Sequence, residues 1–197
     1  MRIAKRWKYA FFISIRYGLI SLAIAFLLPL NHSVLWAKTE NNVSGKKTKN
    51  CEKLPHIIAD MPIRQGVLRR ITGEEVLFEY RWANTVERIA HGFQRTCPQT
   101  VAGMQMLFEF SRESIPDFHM NNVVAPLDIA FVDKNGVIVD IFLMNTYSLL
   151  ELKKPLYSPS KPVLYALEAR AGFFQDLNIT RGDKLLIRDK NKKVKTQ

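Results

Sequence analysis

The alternation of apolar and polar positions along this chain predicts a succession of short strands. In 76–82, VLFEYRW, the residues Val76, Phe78, Tyr80 and Trp82 fall on one face and Leu77, Glu79 and Arg81 on the other. That period of two marks a half-buried strand. Val67–Ile71 precedes it across a Thr72-Gly73-Glu74 turn. Gly103–Phe110, GMQMLFEF, reads as a compact apolar strand with Met104, Met106 and Phe108 on one face, a stripe that fills a core. Two apolar runs, 127–132 and 137–144, flank Asp133-Lys134-Asn135-Gly136. Asn-Gly between such runs predicts a two-residue type I′ hairpin, because that turn needs φ > 0 at both central positions. The register then sets Val132 opposite Val139, Phe131 opposite Asp140 and Ile129 opposite Phe142. It also puts Asp128 and Asp140 on opposite faces, which argues against a concerted carboxylate pair. Both faces are apolar, so the hairpin is expected to lie centrally in its sheet.

Helical signals are fewer. Asn84 is a candidate N-cap with Glu87 reaching back to it, Gly92 a candidate terminator, and Ile89 and Phe93 would face the core. Residues 51–61 and the proline-containing 145–162 read as irregular. Val163–Ala169 is a further strand, Gly172–Leu177 one helical turn and Lys184–Ile187 a last strand. Together these predict an α+β fold: a sheet-dominated, compact single domain over 51–188. It would have about seven short strands in a barrel-like or half-barrel sheet and one or two short helices.

The formal charge of +11 changes this picture less than its size suggests. Residues 1–37 carry five basic groups and no acid, and 38–50 and 184–197 are also basic; 51–183 hold 14 basic and 16 acidic residues. A reader of phosphate backbones needs a basic stripe on its folded face, and none is visible, so no nucleic-acid partner is expected. The start of the chain reads as a targeting segment: Arg2, Lys5, Arg6 and Lys8, then the apolar YGLISLAIAFLLPL of 17–30. Those 14 residues fall short of the ~20 that span a bilayer as a helix. Residues 1–37 are therefore either a signal peptide cleaved near Ala37 or, extended back to Ala10, an uncleaved anchor. Both place the domain outside the cytoplasm, in the periplasm or cell envelope, with the membrane touched only by this segment. Residues 38–50 are a polar linker and 189–197 a basic, disordered tail. Cys51 and Cys97 are an even pair in an exported chain and are expected to form a disulfide, the alternative being two unrelated thiols.

The block from Phe78 to Ile187 resembles the DUF192 (UPF0127) family of uncharacterised, often exported bacterial domains. The elements that carry the resemblance are Gly92-Phe93-Gln94-Arg95, Gly103-Met104-Gln105-Met106-Leu107-Phe108-Glu109-Phe110, Phe118-His119-Met120-Asn121-Asn122 and Pro126-Leu127-Asp128-Ile129-Ala130-Phe131-Val132-Asp133 with Gly136. Tyr165-Ala166-Leu167-Glu168, Gly172 and Gly182-Asp183 follow in the same order. His119 stands where the family usually carries Trp, Asn121 where it has Lys, and Val123 where it has Thr. The resemblance implies a compact, mostly β fold and supplies no function.

Chemistry is expected at the polar knot before the hairpin, with a pocket lined by Arg95, Phe118, His119, Met120, Asn121 and Asp128. Asp128, a carboxylate opening an apolar strand, must be hydrogen-bonded if buried; Arg95, Arg88 or backbone N–H groups of 119–124 are the nearest candidates. His119 lacks the partners of a metal ligand or base and is expected to pack half-buried. Glu168 and Asp140, which also interrupt apolar strands, are read as structural. No cofactor or metal is expected. The reading is a non-enzymatic binding or accessory module of the envelope, its partner an unidentified small ligand or another envelope protein. The alternative is a hydrolase with Asp128 as base and Asn121 and Arg95 stabilising an anion.

Overall fold

The computed structural model describes residues 51–147 and 151–187. The expected targeting segment, linker and basic tail lie outside the described residues. Seven strands form one sheet: β1 (Ile63–Arg69), β2 (Glu75–Ala83), β3 (Met106–Ser114), β4 (Leu127–Val132), β5 (Ile138–Met144), β6 (Val163–Arg170) and β7 (Lys184–Ile187). Their order is β5-β4-β6-β3-β2-β1-β7. Every neighbouring pair is antiparallel except β2 and β3. A parallel pair needs a crossover, and residues 84–105 supply it. The short helices of the described residues are α1 (His56–Ala59), α2 (Val86–His91), α3 (Pro98–Ala102) and α4 (Phe173–Asp176).

The period-2 pattern sorts the core into two clusters, one on each face of the sheet. Leu127, Ile129 and Phe131 of β4 join Met106, Phe108 and Ala166 on one face, which is covered by Phe93, Val101 and Met120. Ala130, Val132, Leu107 and Leu167 point the other way, toward Phe174 and Ile179. All six residues of β4 are buried, as an inner strand covered on both faces requires.

The sheet is open. Its edge strands β5 and β7 approach each other at one corner, where Leu185 donates its N–H to the Gly136 carbonyl and Ile138 to that of Asp183, each at 2.8 Å. The result is a half-barrel, and the hairpin is not central: β4 is an inner strand but β5 is an edge.

Its turn also differs from the expected one. Asp133 Oδ1 accepts the N–H groups of Asn135 and Val137, both at 2.9 Å, and Gly136 donates its N–H to the Asp133 carbonyl. Gly136 takes φ +78 and Asn135 keeps a negative φ. An aspartate side chain that binds the backbone two residues on builds a turn of its own, followed here by one left-handed glycine. Phe131 still faces Asp140 and Ile129 faces Phe142, but a bulge shifts Val132 opposite Ile138. A Cβ at Gly136 would lie 2.5 Å from the Leu185 carbonyl oxygen. Gly136→Ala should therefore lower the unfolding free energy by about 1–3 kcal/mol, from the φ and the collision together. An unchanged urea midpoint would contradict that close approach.

The helices depart from expectation in three places. Thr85, not Asn84, caps α2, its Oγ1 accepting the N–H of Arg88, while Asn84 Oδ1 accepts from the Arg88 guanidinium. Pro98 opens α3 at the position where its missing N–H is harmless, so the following strand starts at Met106 instead of Gly103. Four residues after Pro55 form α1 inside the stretch read as irregular. Cys51 and Cys97 are joined by a disulfide.

Candidate functional site

Residues 115–125, the segment around the polar knot of Phe118–Asn122, cross the face of the sheet that carries Phe108 and Phe131. Phe118 is fixed there by its backbone, which exchanges two hydrogen bonds of 2.9 Å with Tyr157. The Tyr147 hydroxyl accepts the Met120 N–H at 3.0 Å, and Ser158 Oγ donates to Asp117 Oδ1 at 2.5 Å. The proline-containing connection before β6 thus straps the knot onto the sheet. The Phe118 ring meets Phe108, Phe131 and Phe110 edge-on, with centroids at 5.2, 5.5 and 6.4 Å, a favoured arrangement of aromatic quadrupoles.

Between this knot and the end of α2 lies a cavity of about 180 Å³. Phe108, Phe110, Phe118 and His119 form part of its wall, and Glu168 forms part of its floor. Glu168 sits in β6 between Met106 of β3 and Ile129 of β4. Its carboxyl is therefore held among apolar neighbours on an inner strand. It is 5 % exposed, and its Oε2 finds no hydrogen-bond partner among the described residues. Burial alone pushes its pKa from 4.5 up to about 8, since the low-dielectric surroundings disfavour the charged form. Gly92 lies above it. Its backbone (φ 51, ψ −138) ends α2 in a conformation suited to glycine, and a Cβ there would sit 3.7 Å from Glu168 Oε2.

The six residues expected to line one pocket are distributed more widely. Phe118 and His119 are on the cavity wall. His119 is exposed, not half-buried, with Nδ1 accepting the N–H of Asn121 at 3.4 Å. Met120 is 1 % exposed and belongs to the core beneath. Asn121 Oδ1 accepts from Lys154 Nζ at 3.3 Å. Arg95 joins the knot through its backbone, donating its N–H to the Asn122 carbonyl at 2.8 Å. Its side chain borders an adjoining concavity with Ile57, Glu87 and Asn122, which shares Ala90, His91 and Gln94 with the first.

Asp128 points to the opposite face of the sheet. Its Oδ2 accepts the Phe174 N–H at 3.4 Å, so the start of α4, and not Arg95, Arg88 or the 119–124 turn, supplies its partners. Burial raises its pKa; the N–H groups of Gly172, Phe174 and Phe173 and the Arg170 guanidinium oppose that rise. At 6 % exposure it is a hydrogen-bonded carboxylate at a helix start. Asp140 is likewise held, by Arg181 at 3.2 Å and by the Ser160 N–H and hydroxyl. Glu168 differs from both in lacking such partners. The available sequence signal was a lone carboxyl in an apolar strand, which equally fits a structural residue. Among the described residues no group of three or more His, Cys, Asp or Glu side chains is arranged to hold a metal ion.

Comparison with known proteins agrees with this architecture. No curated protein matches the chain. Among solved structures, a protein of unknown function from Novosphingobium aromaticivorans DSM 12444 is similar over 72 % of this chain and 98 % of its own, at 26 % identity and a TM-score of 0.57. A protein from Sinorhizobium meliloti 1021 described as a "putative transcription regulator" is similar over 64 % of this chain and 93 % of its own, at 24 % identity and the same TM-score of 0.57. The latter likeness carries the fold alone. The model of DUF192, described as "Uncharacterized ACR", matches residues 67–187 and takes in β2 to β7, the polar knot and Glu168; the chain belongs to the DUF192 family.

Proposed function

We propose that this protein is an exported, non-enzymatic binding module of the cell envelope, and that its site is the cavity between α2 and Phe118, which receives a small molecule. One observation carries the reading: a carboxyl oxygen lies buried on the floor of a cavity with no protein partner among the described residues. A buried polar group left unpaired is destabilising by about 1–3 kcal/mol. A ligand group that pairs with it would remove that penalty. Export is supported by the basic-then-apolar pattern of residues 1–37 and by a disulfide that uses both cysteines of the chain. The hydrolase alternative asks Asp128 to work beside Arg95 and Asn121. Those two lie at the polar knot, while Asp128 opens toward α4 on the other face, which favours binding over hydrolysis.

Native mass spectrometry of the protein recovered from the periplasm tests the proposal. We expect a non-covalent adduct at one per chain, released unaltered on denaturation. Ala90 is exposed at the cavity mouth, and Ala90→Trp should eliminate the adduct without unfolding the protein. A bare mass for both proteins, or recovery only from the cytoplasm with two alkylatable thiols, would overturn it.

A further inference from the structure

We infer that the cavity selects the head of a small organic cation, an ammonium group on a short apolar chain or ring, with Glu168 as counter-ion and the phenylalanine rings as its cage. The inference rests on the binding reading above and deepens it.

The wall decides the sign of the ligand's charge. Its ionisable side chains are His91, Asp117, His119 and Glu168; no Lys or Arg borders it among the described residues. An anion entering here would meet a buried carboxyl and no compensating cation. A cation gains a carboxylate partner in a desolvated site, where such a charge-assisted hydrogen bond is strong. It also gains the faces of the phenylalanine rings around Phe118, which attract cationic heads when these lie within about 6 Å of a ring centroid. The volume sets the size. An apolar cavity of about 150 Å³ holds a benzene molecule, so about 180 Å³ admits a head of roughly six to eight heavy atoms. Several of the chain's own cations are engaged elsewhere: Lys154 on Asn121, Lys161 on Asp133 and Arg181 on Asp140.

Proton linkage gives the inference a signature. The free carboxyl is mostly protonated below about pH 8, so binding a cation must displace its proton. Affinity should then rise with pH, approaching tenfold per pH unit well below 8 and levelling off above it. The other groups facing the cavity are His91 from α2 and Asp117 and His119 from the polar knot; the neighbouring strands present Met106 and Ile129 beside Glu168. An imidazolium at His91 or His119 would weaken cation binding in the same direction, so Glu168→Gln is the control.

The experiment is calorimetric titration of the folded protein with three ligands of one shape and different charge: benzylammonium, benzyl alcohol and benzoate. At pH 8 we expect benzylammonium to bind at least tenfold more tightly than benzyl alcohol, with benzoate silent. It should release close to one proton at pH 7 and weaken about fivefold from pH 8 to 7. In Glu168→Gln the preference for the cation should fall below about twofold while benzyl alcohol still binds; in Ala90→Trp all binding should vanish. Benzyl alcohol or benzoate binding as tightly as the cation, or a Glu168→Gln variant that keeps the full preference for the cation, overturns the cation class and leaves the binding reading standing. No binding by any of the three, in a wild type that also carries no adduct, overturns both. Phosphatidylethanolamine vesicles form a second arm: retention that Glu168→Gln abolishes identifies the cation as a lipid headgroup, and no retention alongside benzylammonium binding identifies a free amine.

Discussion

The stability of the domain is expected to fall as pH rises from about 5 to about 8, and Glu168→Gln to remove most of that fall. In the unfolded chain the Glu168 carboxyl ionises near 4.5; in the folded protein burial holds it up to about 8. Between those values the native state keeps a proton that the unfolded state has shed. The unfolded state is therefore increasingly favoured as pH rises, and the loss levels off above the folded pKa. Each pH step of one between the two values removes about 1.4 kcal/mol, so the fall from pH 5 to pH 8 is on the order of 3–4 kcal/mol. Asp128 is raised in the same direction and contributes equally to wild type and variant. Glutamine matches the shape of glutamate and cannot ionise, so the variant should be the more stable protein at pH 8 and nearly equal at pH 5. Urea unfolding at both values measures the difference. Parallel profiles for the two proteins would show that Glu168 ionises normally and that the cavity floor is wet. The same residue that weakens the fold at neutral pH is the one the ligand is proposed to need, and a stabilised variant that has lost cation binding is the pattern expected of a functional carboxyl.

The strands were readable because alternation reports burial directly: Phe78 and Tyr80 are buried, Leu77 and Glu79 are not, as their spacing in β2 implies. The polar knot was readable as an interruption between apolar runs. Three features were not, and each depends on contacts distant in sequence or on a side chain acting as backbone. The hairpin turn is set by the Asp133 carboxylate capturing two N–H groups, which outweighs the Asn-Gly preference for type I′. The edge position of β5 follows from β6 pairing with β4 on its other side. No local pattern announces that pairing. The floor of the site comes from Glu168, far beyond Phe118 in the chain, and arrives there because the order β4-β6-β3 inserts β6 under the knot. Asp128 is the converse case. It lies close to Asn121 in the chain, yet period-2 geometry turns it to the other face, where α4 meets it. Nearness in sequence predicted one shared pocket; the sheet separates its members.

Replacing both Cys51 and Cys97 by alanine should lower the unfolding free energy by about 3–4 kcal/mol, the chain-entropy value for a loop of this size. The bridge links residues 46 apart and adjoins a series of backbone hydrogen bonds. Glu52 donates its N–H to the Arg95 carbonyl at 2.7 Å and accepts that of Cys97 at 2.9 Å, while the Arg95 N–H is bonded to Asn122 at 2.8 Å. The N-terminal arm, the turn after α2 and the polar knot are thus consecutive members of one hydrogen-bonded series, with the disulfide at its outer end. Thr100 Oγ1 ties Lys53 to α3 in the same region. If the bridge supports this series in the native state, the double variant should show faster amide exchange at positions 95 and 97 and unchanged exchange in β4 and β6. Its affinity for benzylammonium should change by less than about threefold, because Glu168 and the Phe108–Phe118 pair are anchored in the sheet and not in the arm. A loss of stability with no change at the Arg95 amide would confine the effect to the unfolded chain. A loss of binding as large as that of Glu168→Gln would instead mean that the arm, through Arg95 and Asn122, sets the position of the knot over the cavity.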